Sequence, residues 1–346
     1  MSLATAAPTR AELVTAARIT LALVGPAAWF MAFGTPGEAI LAAIAGLYLG
    51  IVDPDGETLA VRLLAGLAVM PLLVLALELG ILVSPQPLLV VTVVPLLAFA
   101  AGLVNLFGPK ASPGSLFVLQ ALIVGAGMPV QPPLAELLGA GLAGCGWALL
   151  LTLLFAGSRL EPPVDAAGLA GLRQGLRTAW PRLRAVLAAP HGRPFRHAAR
   201  LGIGIASAEG LAFYGNLPHG LWVPLTVAII LKPDAAGTRA AALQRIAGST
   251  GGGLVAALLA ATLLSPWTQL AAITPLAFAA FTLLGRRYAL GVACLTPMVI
   301  LLVDLADPGE WHWALARVGD TAVGGLVALA MIALLPQLPE DGKVAR

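Results

Sequence analysis

The sequence predicts an all-α, polytopic membrane protein of about twelve transmembrane helices, arranged as two parallel six-helix repeats. Three observations predict it: an apolar composition, a regular series of apolar runs, and a strict alternation of Lys and Arg between loops. Of 346 residues, 59% are hydrophobic and 11% charged, with a mean hydropathy of +0.92. A soluble domain carries about 25% charged residues, so this chain has too little polar surface to face water all round. Its length accommodates about twelve spans of about 20 residues with short loops, leaving no large soluble domain.

Apolar runs fall at 13–33, 39–52, 63–83, 88–107, 115–130 and 134–156, then at 198–215, 221–231, 246–264, 268–284, 288–303 and 314–335. The chain therefore divides into an N-terminal six-helix repeat (1–156), an Arg-rich linker (157–197), a C-terminal six-helix repeat (198–336) and a tail (337–346). The first run passes Trp29 to Phe33 without a small-residue cleavage site, so it reads as an uncleaved span rather than a secretion signal.

Loops 34–38, 84–87, 129–133, 216–220, 265–267 and 304–313 contain no Lys or Arg. The opposite side receives Arg62, Lys110, the linker, Lys232, Arg239, Arg245, Arg286, Arg287, Lys343 and Arg346. By the positive-inside rule both termini and the linker are cytoplasmic, and Trp222, Trp267, Trp311 and Trp313 form an aromatic belt at the outer interface. The repeat shows at an offset of about 179 residues: Leu97-Ala98-Phe99-Ala100-Ala101 recurs as Leu276-Ala277-Phe278-Ala279-Ala280, and Asp53-Pro54-Asp55 answers Lys232-Pro233-Asp234. An even number of spans per copy makes the repeat parallel, and in such folds the substrate site lies at the repeat interface.

Two corresponding spans are short. Ala39–Val52 gives about 21 Å of helix and Leu221–Leu231 about 17 Å, against a hydrocarbon core of about 30 Å. Both end at an x-Pro-Asp step, which points to a transport site, or alternatively to a tilted helix with an ordinary loop proline. After Lys232-Pro233 the chain reads as a small-residue loop that resumes as helix at Arg245.

Glu78, Glu209, Arg317 and Asp320 sit inside predicted spans and Glu136 near an end, where a charge costs roughly 2.5 kcal/mol or more. Arg317 and Asp320, three apart, either neutralise each other or take part in substrate and proton handling. Glu136 stands near the repeat-equivalent place of Arg317, which allows an ion pair between repeats. Glu209 has no acid partner nearby in sequence and is the leading candidate for proton coupling, followed by Asp320 and Glu78. Among the cytoplasmic cations, which topology alone can explain, Arg245 stands out. A guanidinium there could hold a carboxylate bidentately, with Lys232 and Arg317 as further anion-binding candidates.

Other chemistries find no support. Gly248 to Gly253 lacks the phosphate-loop order and reads as helix packing; Asp304, Asp307, Glu310 and His312 read as a solvated loop rather than a metal site. Cys145 and Cys294 are packing residues, and no hydrolase, cofactor or nucleic-acid motif appears, so the chain is not expected to be an enzyme. The linker holds eight arginines between Arg159 and Arg200 against Glu161 and Asp165. Leu169, Leu172, Leu176, Trp180, Leu183 and Leu187 lie at helical spacing, and Pro181 divides it. It reads as resting on anionic membrane lipid, or as docking a cytoplasmic partner.

Trp222, Thr226, Pro233, Thr238, Arg245, Gly248 and Thr250 stand in a recognisable order, echoed by Arg286-Arg287-Tyr288-Ala289-Leu290, Thr296-Pro297 and Arg317-Val318-Gly319-Asp320-Thr321 with Gly324. Over about 195–336 this resembles the fusaric acid resistance and aromatic acid exporter superfamily, with Ser249 where that family usually has Thr. The resemblance implies an inner-membrane, proton-driven efflux transporter of organic anions such as aromatic carboxylic acids. It implies Trp222 and Thr226 as substrate-contact candidates and a periplasmic adaptor as partner. A passive anion channel of the same superfamily and a membrane scaffold acting through the linker stand as alternatives.

Overall fold

The computed structural model describes residues 7–53, 58–104, 112–128, 133–156, 177–178, 180–190, 192–217 and 220–336. Every regular element among them is helical. The N-terminal half holds α1 (Arg10–Phe33), α2 (Pro36–Val52), α3 (Leu59–Val83), α4 (Pro87–Val104), α5 (Ser112–Ala126) and α6 (Leu134–Phe155). A short α7 covers 180–187. The C-terminal half holds α8 (Arg193–Tyr214), α9 (Trp222–Ile230), α10 (Ala235–Thr262), α11 (Pro266–Leu283), α12 (Tyr288–Asp304) and α13 (His312–Leu334). Helices α1, α3, α4, α6 and α13 are long and apolar enough to cross a bilayer, which makes this a helical membrane protein.

Local chemistry sets the helix starts. Thr9 with Glu12, and Thr35 with Glu38, form reciprocal capping boxes that open α1 and α2, and Thr58 caps α3. Asp234 accepts from the Gly237 N–H and opens α10 at Ala235. The loop expected up to Arg245 is therefore helix. Its Ala-rich stretch is too polar to register as an apolar run but has high helix propensity, so Arg245 lies three turns inside α10. Helix α9, at nine residues, spans about 14 Å, shorter still than expected, whereas α2 begins at Pro36 and reaches about 26 Å.

Small residues bring the helices together. A Cβ at Gly248 would collide with the Ala289 carbonyl, and one at Gly252 would stand 2.6 Å from the Ala293 carbonyl oxygen, so α10 lies directly on α12. The glycine run is helix packing. Within the N-terminal half α1 packs on α2, α2 on α6, α3 on α5 and α6, and α4 on α5; within the C-terminal half α8 packs on α9, α9 on α13, α10 on α12 and α13, and α11 on α12. Between the halves α4 meets α8, α1 meets α11, and α5 meets α9. The Phe99 and Phe195 rings meet edge to face at 5.5 Å in the first of these seams. Arg286 pairs with Glu12 at 2.6 Å across the second.

The matched x-Pro-Asp steps differ in chemistry. At the end of α2, Asp53 takes a bidentate pair from Arg62 at 2.6 Å, a contact from Arg18 at 2.8 Å and the Thr152 hydroxyl at 2.9 Å. Burial works against its charge, but the Arg62 hydrogen bonds, the Arg18 and Arg62 charges and Thr152 outweigh it and hold the carboxyl below the usual Asp range. At the end of α9 the counterpart is a cation, Lys232, whose backbone N–H donates to Thr238 Oγ1. Linker residues Arg159, Glu161, Asp165, Leu169, Leu172 and Leu176, with Lys110, Lys343 and Arg346, lie outside the described residues. Trp180 and Pro181 open α7, where Arg184 lies over the Trp180 ring at 5.8 Å.

Candidate functional site

Helix α9 begins abruptly after Gly220-Leu221, and its first residue is Trp222. The indole is buried in protein instead of exposed as a belt residue would be, because α13 covers it; Trp267 and Trp311 remain exposed. The Arg317 guanidinium of α13 lies over the Trp222 ring, 4.3 Å from its centroid. Its Nη1 donates to Thr321 Oγ1 at 3.2 Å and to Thr226 Oγ1 at 3.4 Å. Gly324 makes the approach possible, since a Cβ there would press on Thr226 and the Val223 carbonyl.

Arg245 reaches the same space from α10. Both arginines are 4% exposed, and the Nε of each lacks a hydrogen-bond partner. Among the described residues neither makes an ion pair. Arg317 and Asp320 make no direct ion pair, but each lies within electrostatic reach of the other, and Asp320 Oδ2 has no hydrogen-bond partner. Tyr48 of α2 and Tyr288 of α12 also stand within electrostatic reach of Arg317, and Tyr48 within that of Arg245. Tyr48 packs against Phe117 of α5, with centroids 5.3 Å apart. Thr296 Oγ1 and Ser249 Oγ meet at 3.4 Å on the neighbouring α12–α10 contact. The result is two buried cations in a setting of rings and hydroxyls, with Asp320 as the one acid within electrostatic reach of Arg317 among the described residues. Such a place suits an anion with an aromatic body.

Residues 205–331 match the family model for fusaric acid resistance protein-like proteins. This segment is similar to that family. The chain is 33% identical to the uncharacterized transporter YdhK of Escherichia coli over 45% of its own length and 24% of YdhK. It is 27% identical to the protein ORF2 of Neisseria gonorrhoeae over 48% of its length and 40% of that protein. It is 29% identical to inner membrane protein YccS of Escherichia coli over 46% of its length and 22% of YccS. The chain thus spans about a quarter of YdhK and of YccS. No solved structure matches it.

The fusaric acid resistance protein-like segment supplies Trp222, Thr226, Arg245, Tyr288 and Arg317. Tyr48 comes from outside it. Of the expected binding residues, Trp222, Thr226, Arg245 and Arg317 converge, and Asp320 borders them. Lys232 does not join them: it is exposed on the α9–α10 turn, within electrostatic reach of buried His197. Glu78 is buried on α3 with neither carboxylate oxygen hydrogen-bonded. Glu209 lines a separate cleft. Glu136 is exposed and cannot pair with buried Arg317.

Tyr48 and Tyr288 were missed as site residues. Tyr48 carried one usable signal, being one of three tyrosines in the chain and lying in a span whose partner holds Trp222 and Thr226. Tyr288 carried another, directly after Arg286-Arg287 in the recognised pattern. The loop after α12 also differs from expectation. Asp304 is buried and accepts from Gln269 Nε2 and from the Gly309 and Glu310 N–H groups, bracing the turn. Among the described residues no group of His, Cys, Asp and Glu could hold a metal.

Proposed function

We propose that this chain acts as an inner-membrane exporter of organic anions, aromatic carboxylates foremost, with twelve spans in two parallel six-helix repeats and both ends cytoplasmic. The observation that carries this reading is the pair Arg245 and Arg317, buried without an ion pair beside Trp222, Tyr48 and Tyr288. Taking a charge out of water costs several kcal/mol per ion. With two arginines and a single nearby acid, Asp320, the place keeps an excess positive charge that an entering carboxylate would balance, and the rings receive its aromatic body.

The repeat reading is supported by the matched helix pairings of the two halves and by the α4–α8 and α1–α11 seams, which exchange under a swap of halves. Glu209 at the Lys- and Arg-free end of α8 is the proton carrier in this scheme, with Asp320 and Glu78 as further acids. The names of YdhK, a transporter, and YccS, an inner membrane protein, support the compartment and the class. Efflux to a periplasmic adaptor follows from the family resemblance.

The test is accumulation of labelled para-hydroxybenzoate in cells lacking and expressing the gene. Expression lowers accumulation, and Arg245→Ala and Arg317→Ala each restore it to the level of cells lacking the gene. Export by both variants at the wild-type rate overturns the reading. Export that persists after the proton gradient is collapsed removes the proton-driven part alone.

A further inference from the structure

A cleft of about 200 Å³ lies in the seam between the halves, walled by α3, α4 and α5 on one side and by α8 and the α8–α9 turn on the other. Its lining is apolar apart from Ser84 and Glu209. The Ser84 hydroxyl is already committed, donating to the Ile81 carbonyl at 2.8 Å. Glu209 is 8% exposed and, among the described residues, makes no hydrogen bond or ion pair, with no charged side chain in reach of its carboxylate. Here the arginine site is inverted: one acid, lacking a counter-charge, opening onto a cleft walled by Val91, Ile123, Phe213 and Leu221.

We propose that this cleft is a binding site for a small hydrophobic monocation of the arylalkylammonium class. The ammonium sits on the Glu209 carboxylate as a charge-assisted hydrogen bond, and the ring lies against Phe213, Val91 and Leu221. The volume is below the roughly 300–1,000 Å³ of pockets for drug-sized ligands, which limits the occupant to one ring with a short chain. The site differs from the arginine site in charge sign and in walls, with half its lining from the N-terminal half. It does not rest on the export reading, because binding is measured without a gradient or a transported anion.

The test uses the full chain purified in detergent, with 2-phenylethylammonium and its neutral isostere 2-phenylethanol titrated by calorimetry at mildly alkaline pH, where the carboxyl is ionised. The ammonium binds more tightly than the alcohol, and Glu209→Gln weakens the ammonium by roughly tenfold or more while leaving the alcohol unchanged. Should Glu209→Gln fail to fold, Val91→Trp, which fills the cleft, decides: it abolishes binding of both compounds. Equal affinity of the two compounds, ammonium binding untouched by Glu209→Gln, or binding that survives Val91→Trp overturns the proposal.

Discussion

Arg317 is held by an indole face and two hydroxyls where spacing along the helix suggested a carboxylate. A lysine cannot reproduce that fork and stack. Arg317→Lys should therefore lower export of an aromatic carboxylate by roughly tenfold or more, measured as initial rate in vesicles, with normal expression and size-exclusion behaviour. Tyr48→Phe keeps the ring and removes the hydroxyl. Its expected effect is a KM raised roughly threefold to tenfold at unchanged kcat, the mark of lost ground-state binding. Asp53 makes the opposite kind of site, a carboxylate satisfied by Arg62, Arg18 and Thr152. Its folded pKa is depressed, so its stabilisation is complete above the ordinary Asp value near about pH 4 and is lost as pH falls through the folded value. Thermal unfolding followed along an acid titration should show Asp53→Asn less stable by about 3 kcal/mol near neutrality, with a flatter acid dependence than wild type.

At the scale of elements, the contact of α10 with α12 depends on the absence of side chains at Gly248 and Gly252. Gly252→Ala sets a methyl against the Ala293 carbonyl and should cost about 1–3 kcal/mol, read as a lowered Tm, with anion binding weakened because Arg245 rides on the same helix. Most helices were legible in the sequence because their apolar runs are bounded by Pro, Gly and capping residues. The start of α10 was not. Hydropathy finds stretches that prefer lipid, whereas Ala235 to Gln244 prefers helix without preferring lipid, and only the Asp234 cap marked it. Trp222 misled for a related reason. An aromatic residue opening a short apolar run looks the same whether its ring faces headgroups or a neighbouring helix.

Across the whole molecule, the halves meet closely along α4 and α8, where a Cβ on Gly102 would stand 3.0 Å from that of Ala198. Gly102→Ala sets a methyl against the Ala198 backbone and should cost about 1–3 kcal/mol, read as a lowered Tm. An unchanged Tm would place the seam elsewhere. The sequence by itself determined the helical membrane class, the helix order and the family resemblance of the C-terminal segment, because these depend on composition, periodicity and local spacing. It also named Trp222, Thr226, Arg245 and Arg317. Only the tertiary structure decided that these four share one place with Tyr48 and Tyr288 while Lys232 stands apart, and that Asp320 stands within electrostatic reach of Arg317 without a direct ion pair. Helix spacing states which residues share a face, but which face meets which neighbour is set by the close packing of small residues between helices distant in the chain.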